Sequence, residues 1–162
     1  MRHAQASPGW TSRARRYLRF LVFPLVMASA CGGSVNSPSA PAAFNPNGTW
    51  IGKTSQAGSA APTDLNAVGY FSMTVSNSQI IRVSFHASYA DPCAGESSVA
   101  AAVNVVIPDN KTFAFLNPAG FSPFSVSGTF ESSSRAAGSL TATHIGSFGC
   151  QSTVTVTWTA TK

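Results

Sequence analysis

Charged residues are scarce in this chain. Only 9% of its 162 residues are Asp, Glu, Lys or Arg, against roughly 25% in typical soluble domains. Half of the ten basic residues lie within the first 19 positions, and from residue 31 onward five basic residues balance five acidic ones. Because this remainder has no basic surface, the sequence predicts no electrostatic binding to nucleic acid.

The common signatures of catalytic and metal sites are also missing. The sequence has no G-x-S-x-G motif, no phosphate-binding glycine loop and no C-x-x-C pair. His86 and His144 have no partner at metal-ligand spacing, and we expect both to face solvent. Many serines, and acidic pairs such as Asp91 with Glu96, are available for a hydrolytic site, but no pattern selects among them. The sequence therefore names no catalytic residue, cofactor or metal ligand.

The apolar run at residues 20–27 is too short for a transmembrane helix. It has eight residues, whereas a helix needs about 20 to cross a bilayer. A basic region with five arginines and no acidic residue precedes the run, and the small residues Ala28-Ser29-Ala30 follow it. This order is typical of a secretory signal peptide, so we interpret residues 1–30 as a segment that directs export and is then removed.

The stretch Ala28-Ser29-Ala30-Cys31 resembles the lipobox of bacterial lipoproteins. The resemblance implies that Cys31 receives a diacylglycerol, becomes the new N-terminus and holds the chain at a membrane of the bacterial cell envelope. The family usually has leucine where Ala28 stands, and Ala-x-Ala also suits ordinary signal peptidase. Cleavage to a soluble secreted or periplasmic protein is therefore the alternative.

The chain has three cysteines. If Cys31 carries lipid, Cys93 and Cys150 remain as a pair in an oxidising compartment, where a disulfide is the expected state. A metal site shared by the two cysteines is the alternative.

Composition and periodicity divide the chain after the signal peptide into two regions. Residues 31–46 begin with the lipidated cysteine and continue as a flexible linker rich in Gly, Ser, Pro and Ala. In residues 47–162 apolar and polar residues alternate in nearly every segment, as in Val154, Val156 and Trp158 between threonines. About eight such segments with short connections predict a single all-β antiparallel domain, either an up-and-down barrel or a two-sheet sandwich.

The tripeptide Gly48-Thr49-Trp50 resembles the G-x-W that begins the first strand of lipocalins and other calycin barrels. That resemblance implies that Trp50 closes one end of a barrel beneath a basic residue from a late strand, and that the barrel holds a cavity for a small apolar ligand. Lys162 and Arg135 are the late basic candidates. The alternative is that Trp50 is an ordinary core residue of the first strand.

The connection at residues 115–124 is unusually apolar for a loop. Its aromatic residues Phe121 and Phe124 are candidates, with Trp50, for contact with a ligand or partner. The alternative is that the loop folds back and plugs one end of the domain.

These features predict a lipid-anchored extracytoplasmic β-domain with a non-enzymatic binding or envelope-structural role. The candidate partners are a small apolar ligand, a glycan or an envelope protein. A small cell-envelope hydrolase with an unrecognised site, or an inhibitor-type lipoprotein, are the alternative functions.

Overall fold

The computed structural model describes residues 43–118, 120 and 122–162. The predicted signal peptide, Cys31 and Phe121 therefore lie outside the described residues. The described chain forms eight strands and a 3-10 turn at Ser147–Gly149. The strands are β1 (Gly48–Thr54), β2 (Tyr70–Ser76), β3 (Gln79–Tyr89), β4 (Gly95–Val106), β5 (Thr112–Asn117), β6 (Phe124–Phe130), β7 (Arg135–Ile145) and β8 (Gln151–Thr161).

No helix among these residues has the length and apolar character needed to span a bilayer.

All eight strands belong to one antiparallel sheet in the order β4-β3-β2-β1-β8-β7-β6-β5. Each strand pairs with its neighbour in sequence except at one place: β4 and β5 do not pair, while β1 pairs with β8 from Ile51 opposite Thr161 to Thr54 opposite Trp158. The sheet is thereby nearly closed into an up-and-down barrel. The predicted all-β class and strand number are confirmed, and the sandwich alternative is excluded.

Strands β2 and β3 form a tight hairpin. Its two turn residues, Asn77 and Ser78, have φ angles of 50° and 57°. A turn with positive φ at both central residues has a twist that matches the flanking strands, and two-residue hairpin loops favour such turns for this reason.

Large aromatic side chains fill the interior of the barrel. Strand β8 follows the predicted alternation, with Val156, Trp158 and Ala160 buried and the threonines between them exposed. The indole of Trp158 stacks on Phe71, with ring centroids 4.5 Å apart and planes at 12°. The largest fully buried residues are Trp50, Trp158, Phe71, Phe85 and Phe130.

Two paired glycines make room for Trp158. Gly128 of β6 lies opposite Gly138 of β7, and a Cβ atom at Gly138 would lie 2.7 Å from Cζ2 of the indole. A side chain at either position would collide with the indole and with the backbone of the neighbouring strand.

The two ends of the barrel carry different connections. The Lys162 end holds the start of β1, the β2–β3 turn, the β4–β5 and β6–β7 connections and the end of β8. The disulfide end holds the longer β1–β2 connection, the β3–β4 and β5–β6 connections and the β7–β8 turn.

Candidate functional site

The Lys162 end is closed by polar contacts around Trp50. Nζ of Lys162 lies 5.5 Å from the centroid of the Trp50 ring and donates to the carbonyl oxygens of Asn45 and Asn47 at 2.8 and 3.0 Å. The indole Nε1–H of Trp50 donates to the carbonyl of Pro46 at 2.8 Å. Trp50 itself has no exposed surface, so it has none to offer a ligand.

Of the two late basic candidates, Lys162 is the one that lies over Trp50. Arg135 instead forms a surface ion pair with Glu131, with Nε and Oε2 2.6 Å apart.

The disulfide end is held together across the barrel. Cys93, in the β3–β4 connection, forms a disulfide with Cys150 next to β8, and their Cα atoms lie 5.8 Å apart. Ser152 adds two hydrogen bonds, because its hydroxyl donates to the carbonyl of Ala90 at 2.6 Å and accepts from the backbone N–H of Cys93 at 3.0 Å. The predicted cysteine pair is thus present as a disulfide.

His144 lies inside this end, although the sequence predicted that it would face solvent. It continues the inward row of β7, and its ring centroid lies 5.4 Å from that of Tyr89. Neither Nδ1 of His144 nor the hydroxyl of Tyr89 has a hydrogen-bond partner among the described residues. Burial raises the pKa of the Tyr89 phenol.

The unpaired edges of β4 and β5 face each other across a gap, which we call the seam. One wall of the seam is a half-buried apolar row on β4, which consists of Val99, Ala101, Val103 and Val105. The opposite wall includes Phe115 of β5. At the disulfide end the hydroxyls of Ser97 and Ser122 lie 3.3 Å apart across the seam. The inward-facing side chains of β4 and β5 are therefore partly exposed to solvent along the seam.

A cleft of about 360 Å³ lies in the seam near the disulfide end. Phe124, one of the predicted contact residues, is 2% exposed but forms part of the cleft lining. The other lining residues are Ser98, Val99, Ala100, Ala101, Asn117, Gly120 and Ser122.

A serine, a histidine and an acid meet beside this cleft. Oγ of Ser98 lies 2.8 Å from Nδ1 of His86, and Oε2 of Glu96 lies 3.3 Å from Nε2 of the same ring. The register of the sheet produces this meeting, because Ser98 of β4 lies directly opposite His86 of β3. Glu96 and Ser98 are two residues apart and so share a face of β4.

The β1–β2 connection covers His86. The carbonyl oxygen of Leu65 lies 3.1 Å from Nδ1 of His86, and Gln56 exchanges two hydrogen bonds with the backbone of Ser88, at 2.7 and 3.0 Å. His86 is only 7% exposed, so the prediction that it faces solvent was wrong. Ser98 remains exposed.

Ser98 is a site residue that the sequence patterns do not single out. Its only signal is the spacing of Glu96 and Ser98 on one strand face, which is common in β proteins. Glu96, the acidic residue that the sequence offered as a pair with Asp91, contacts His86. Within the part of the chain that the structure describes, no three His, Cys, Asp or Glu side chains lie close enough together to hold a metal ion.

The chain matches no protein-family model, no curated protein and no solved structure.

Proposed function

We propose that this protein is exported, held at a cell-envelope membrane by lipid on Cys31, and binds an extended segment of a partner protein in its seam. The observation that carries the binding proposal is the pair of unpaired strand edges beside a half-buried apolar row. The other partners suggested by the sequence, a glycan and a small apolar ligand, fit these features less well.

A small apolar ligand carried inside the barrel has little support. The interior is filled by Trp50, Trp158 and the phenylalanines around them. A protein interior is close-packed, so a ligand would have to displace these side chains at a cost of several kcal/mol. Binding on the outside or in the seam needs no such rearrangement.

The backbone of β4 supports an extended partner. β4 has 12 residues, and β3 is the only strand in the described ranges that pairs with it. Every second residue of such an edge turns its N–H and C=O groups away from the sheet, where an added strand would bond to them. The matching edge of β5 lies on the other side of the seam.

Natural proteins block strand addition with lysines, prolines, bulges or inward-pointing charges. The ladder of β4 with β3 has one register shift, near Val103 and Asn104, and is regular from Gly95 to Ala102. From Ser97 to Val106 the strand has no charged residue and no proline. This composition supports a partner segment that is itself uncharged, with apolar side chains toward the barrel and polar ones toward solvent.

The described chain enters the barrel at the end opposite the cleft. Phe44 follows the first described residue and packs at the Lys162 end, with its ring centroid 6.0 Å from that of Phe130 and 4.5 Å from Nζ of Lys111.

A lysine on the inner row of β4 is expected to weaken strand binding. The probe is a fluorescein-labelled synthetic peptide with the sequence of Gln151–Thr161, which is uncharged and alternates as the proposed partner does. Ala101 is half-buried and Ala102 is exposed. We expect Ala101→Lys to weaken binding at least about tenfold, because the ammonium group would have to be desolvated without a partner. Fluorescence anisotropy measures the affinity.

Ala102→Lys is the matched control, since it places the same charge one residue away on the solvent face. We expect it to change the affinity by less than about threefold. A second control replaces the threonine that precedes the central valine of the peptide (Thr155 in the protein) with proline, which removes a ladder N–H and should abolish binding. Equal effects of the two lysines, or binding that survives the proline, would contradict insertion into the seam.

Replacing Cys31 with serine is expected to release the protein from the membrane. The barrel has no net charge and no basic surface to hold it there, so the acyl chains, each contributing about 0.8 kcal/mol per buried CH₂ group, provide the attachment. Mass spectrometry of the mature protein should show an acylated Cys31, and Cys31→Ser should move the protein to the soluble fraction. An unmodified cysteine at the mature N-terminus would exclude the anchor and leave the seam proposal intact.

A further inference from the structure

We propose that Ser98 is a nucleophile that hydrolyses uncharged carboxylic esters bound in the cleft of the seam, with His86 as its general base and Glu96 as the residue that orients the imidazole. This activity goes beyond the binding role proposed above and does not depend on it. It is carried by the three side chains that meet on the outer face of β3 and β4, and by the cleft beside them.

The tautomer with the ring proton on Nε2 is the one in which Ser98 can donate to His86. In this tautomer Nε2–H of His86 donates to Oε2 of Glu96, 3.3 Å away. Nδ1 is then free to accept, and the hydroxyl of Ser98 lies 2.8 Å away. A serine hydroxyl that donates to an imidazole held by a carboxylate has the arrangement that activates a nucleophile.

The carbonyl of Leu65 takes part after proton transfer. It lies 3.1 Å from Nδ1 of His86 and cannot bond to that nitrogen while Nδ1 is an acceptor. Once Nδ1 has received the serine proton, this carbonyl accepts a hydrogen bond from it, and Glu96 pairs with the imidazolium. Both contacts are therefore stronger after proton transfer than before it, which is the condition for lowering a barrier.

The cleft supplies space for the substrate next to Ser98. It measures about 360 Å³, and Val99, Ala101 and Phe124 provide its apolar surface. Among the described residues no charged side chain lines it, so an uncharged ester with a short acyl or aryl group suits it better than a charged one. Outward-facing amides on the free edge of β4 are donors available to an oxyanion.

The reaction balances with water as the only co-reactant. Oγ of Ser98 attacks the ester carbonyl carbon while its proton passes to Nδ1 of His86. The tetrahedral intermediate breaks its bond to the alkoxy oxygen, which leaves as an alcohol with the proton from His86, and Ser98 remains acylated. A water molecule then attacks the acyl carbon, loses a proton to His86, and releases the carboxylic acid and the free serine.

A fluorophosphonate probe tests the nucleophile without knowledge of the natural substrate. The full-length purified protein in detergent should react with the probe, which loses fluoride as its phosphorus bonds to a serine oxygen. Intact mass spectrometry should show one added phosphonyl group, and peptide mass spectrometry should place it on Ser98. The same preparation should hydrolyse p-nitrophenyl acetate. We expect Ser98→Ala to abolish labelling and to lower the ester hydrolysis rate by about a hundredfold or to background.

Ser97→Ala is the matched control, because Ser97 is the next residue on β4 and contacts Ser122 rather than His86. It should label within about twofold of the wild type, since it removes no group that touches the reacting atoms. Glu96→Gln keeps the shape of the orienting residue without its charge and should slow labelling by at least about tenfold. Circular dichroism establishes that each variant is folded.

Three results would overturn the proposal. They are an unlabelled wild-type protein, a label on a residue other than Ser98, and hydrolysis that Ser98→Ala leaves unchanged. An unchanged labelling rate in Glu96→Gln would remove the role assigned to Glu96. Each of these outcomes leaves the anisotropy experiment on the seam unaffected, so failure of the activity and failure of strand binding can be told apart.

Discussion

Replacing Trp158 with alanine is expected to lower the free energy of unfolding by about 3–5 kcal/mol. Trp158 is 1% exposed, stacks on Phe71 and lies against Gly128 and Gly138. The rigid strands on both sides cannot collapse into the space, so the cavity remains. Because domains of this size are stable by only about 5–15 kcal/mol, urea denaturation should show a large fall in midpoint with little change in slope.

Thr157→Ala is the control for this substitution. Thr157 is the preceding residue of β8 and is exposed on the outer face, so its loss should cost less than about 1 kcal/mol. If the two variants had equal midpoints, the position of Trp158 in the core would be contradicted.

Substitution by phenylalanine is expected to affect the stability of the protein differently at Trp158 and at Trp50. Nε1–H of Trp158 is buried without a hydrogen-bond partner among the described residues, whereas Nε1–H of Trp50 donates to Pro46. Trp158→Phe removes an unsatisfied donor, while Trp50→Phe leaves an acceptor unsatisfied at a cost of about 1–3 kcal/mol. We therefore expect Trp50→Phe to be the more destabilising of the two in the same denaturation experiment.

Removing the disulfide is expected to cost about 4 kcal/mol. Cys93 and Cys150 are 57 residues apart, and in the chain-entropy model a cross-link over such a loop restricts the unfolded chain by about that amount. The bond also joins the two halves of the barrel whose free edges form the seam. Cys93→Ala combined with Cys150→Ala should therefore lower the urea midpoint and widen the seam, seen as faster hydrogen exchange in β4 and β5.

Reduction of the wild-type protein provides an independent measurement of the same effect. Dithiothreitol should lower its midpoint to that of the double variant and should leave the double variant unchanged. Cys31→Ser retains the disulfide and should respond to dithiothreitol as the wild type does. A midpoint that is insensitive to reduction would show that the bond contributes little to stability.

Much of the fold was predictable because alternation of apolar and polar residues depends on the strand itself. The rows of β2 and β8 follow directly from the period of two. The row of β3 departs from it, because Ile80 is buried and Ile81 is exposed where the ladders with β2 and β4 shift register. The choice of a barrel over a sandwich was not predictable, because it depends on the pairing of β1 with β8. Those strands lie at opposite ends of the domain sequence, and nothing local in either one specifies the other.

The cluster at the seam was hidden from sequence analysis for a geometric reason. From the β3–β4 connection the register runs unbroken from Tyr89 opposite Gly95 to Arg82 opposite Ala102, and it places His86 opposite Ser98. This count needs the ends of both strands, which the irregular connection between them does not mark in the sequence. The covering of His86 by Leu65 depends on the path of the β1–β2 connection, which has no regular pattern to reveal it.

The pairing of β1 with β8 also determines when the barrel can form. Nζ of Lys162 bonds to the carbonyl of Asn45, which is 117 residues away in the chain, and β1 has β8 as one of its two neighbours. Contacts between residues so far apart form slowly, because the chain loses the entropy of closing the loop before the contacts stabilise it. During synthesis β1 can pair with β2 but lacks β8 until the end of the domain has been made. In the export that we propose, the barrel therefore stays unclosed until translocation is nearly complete.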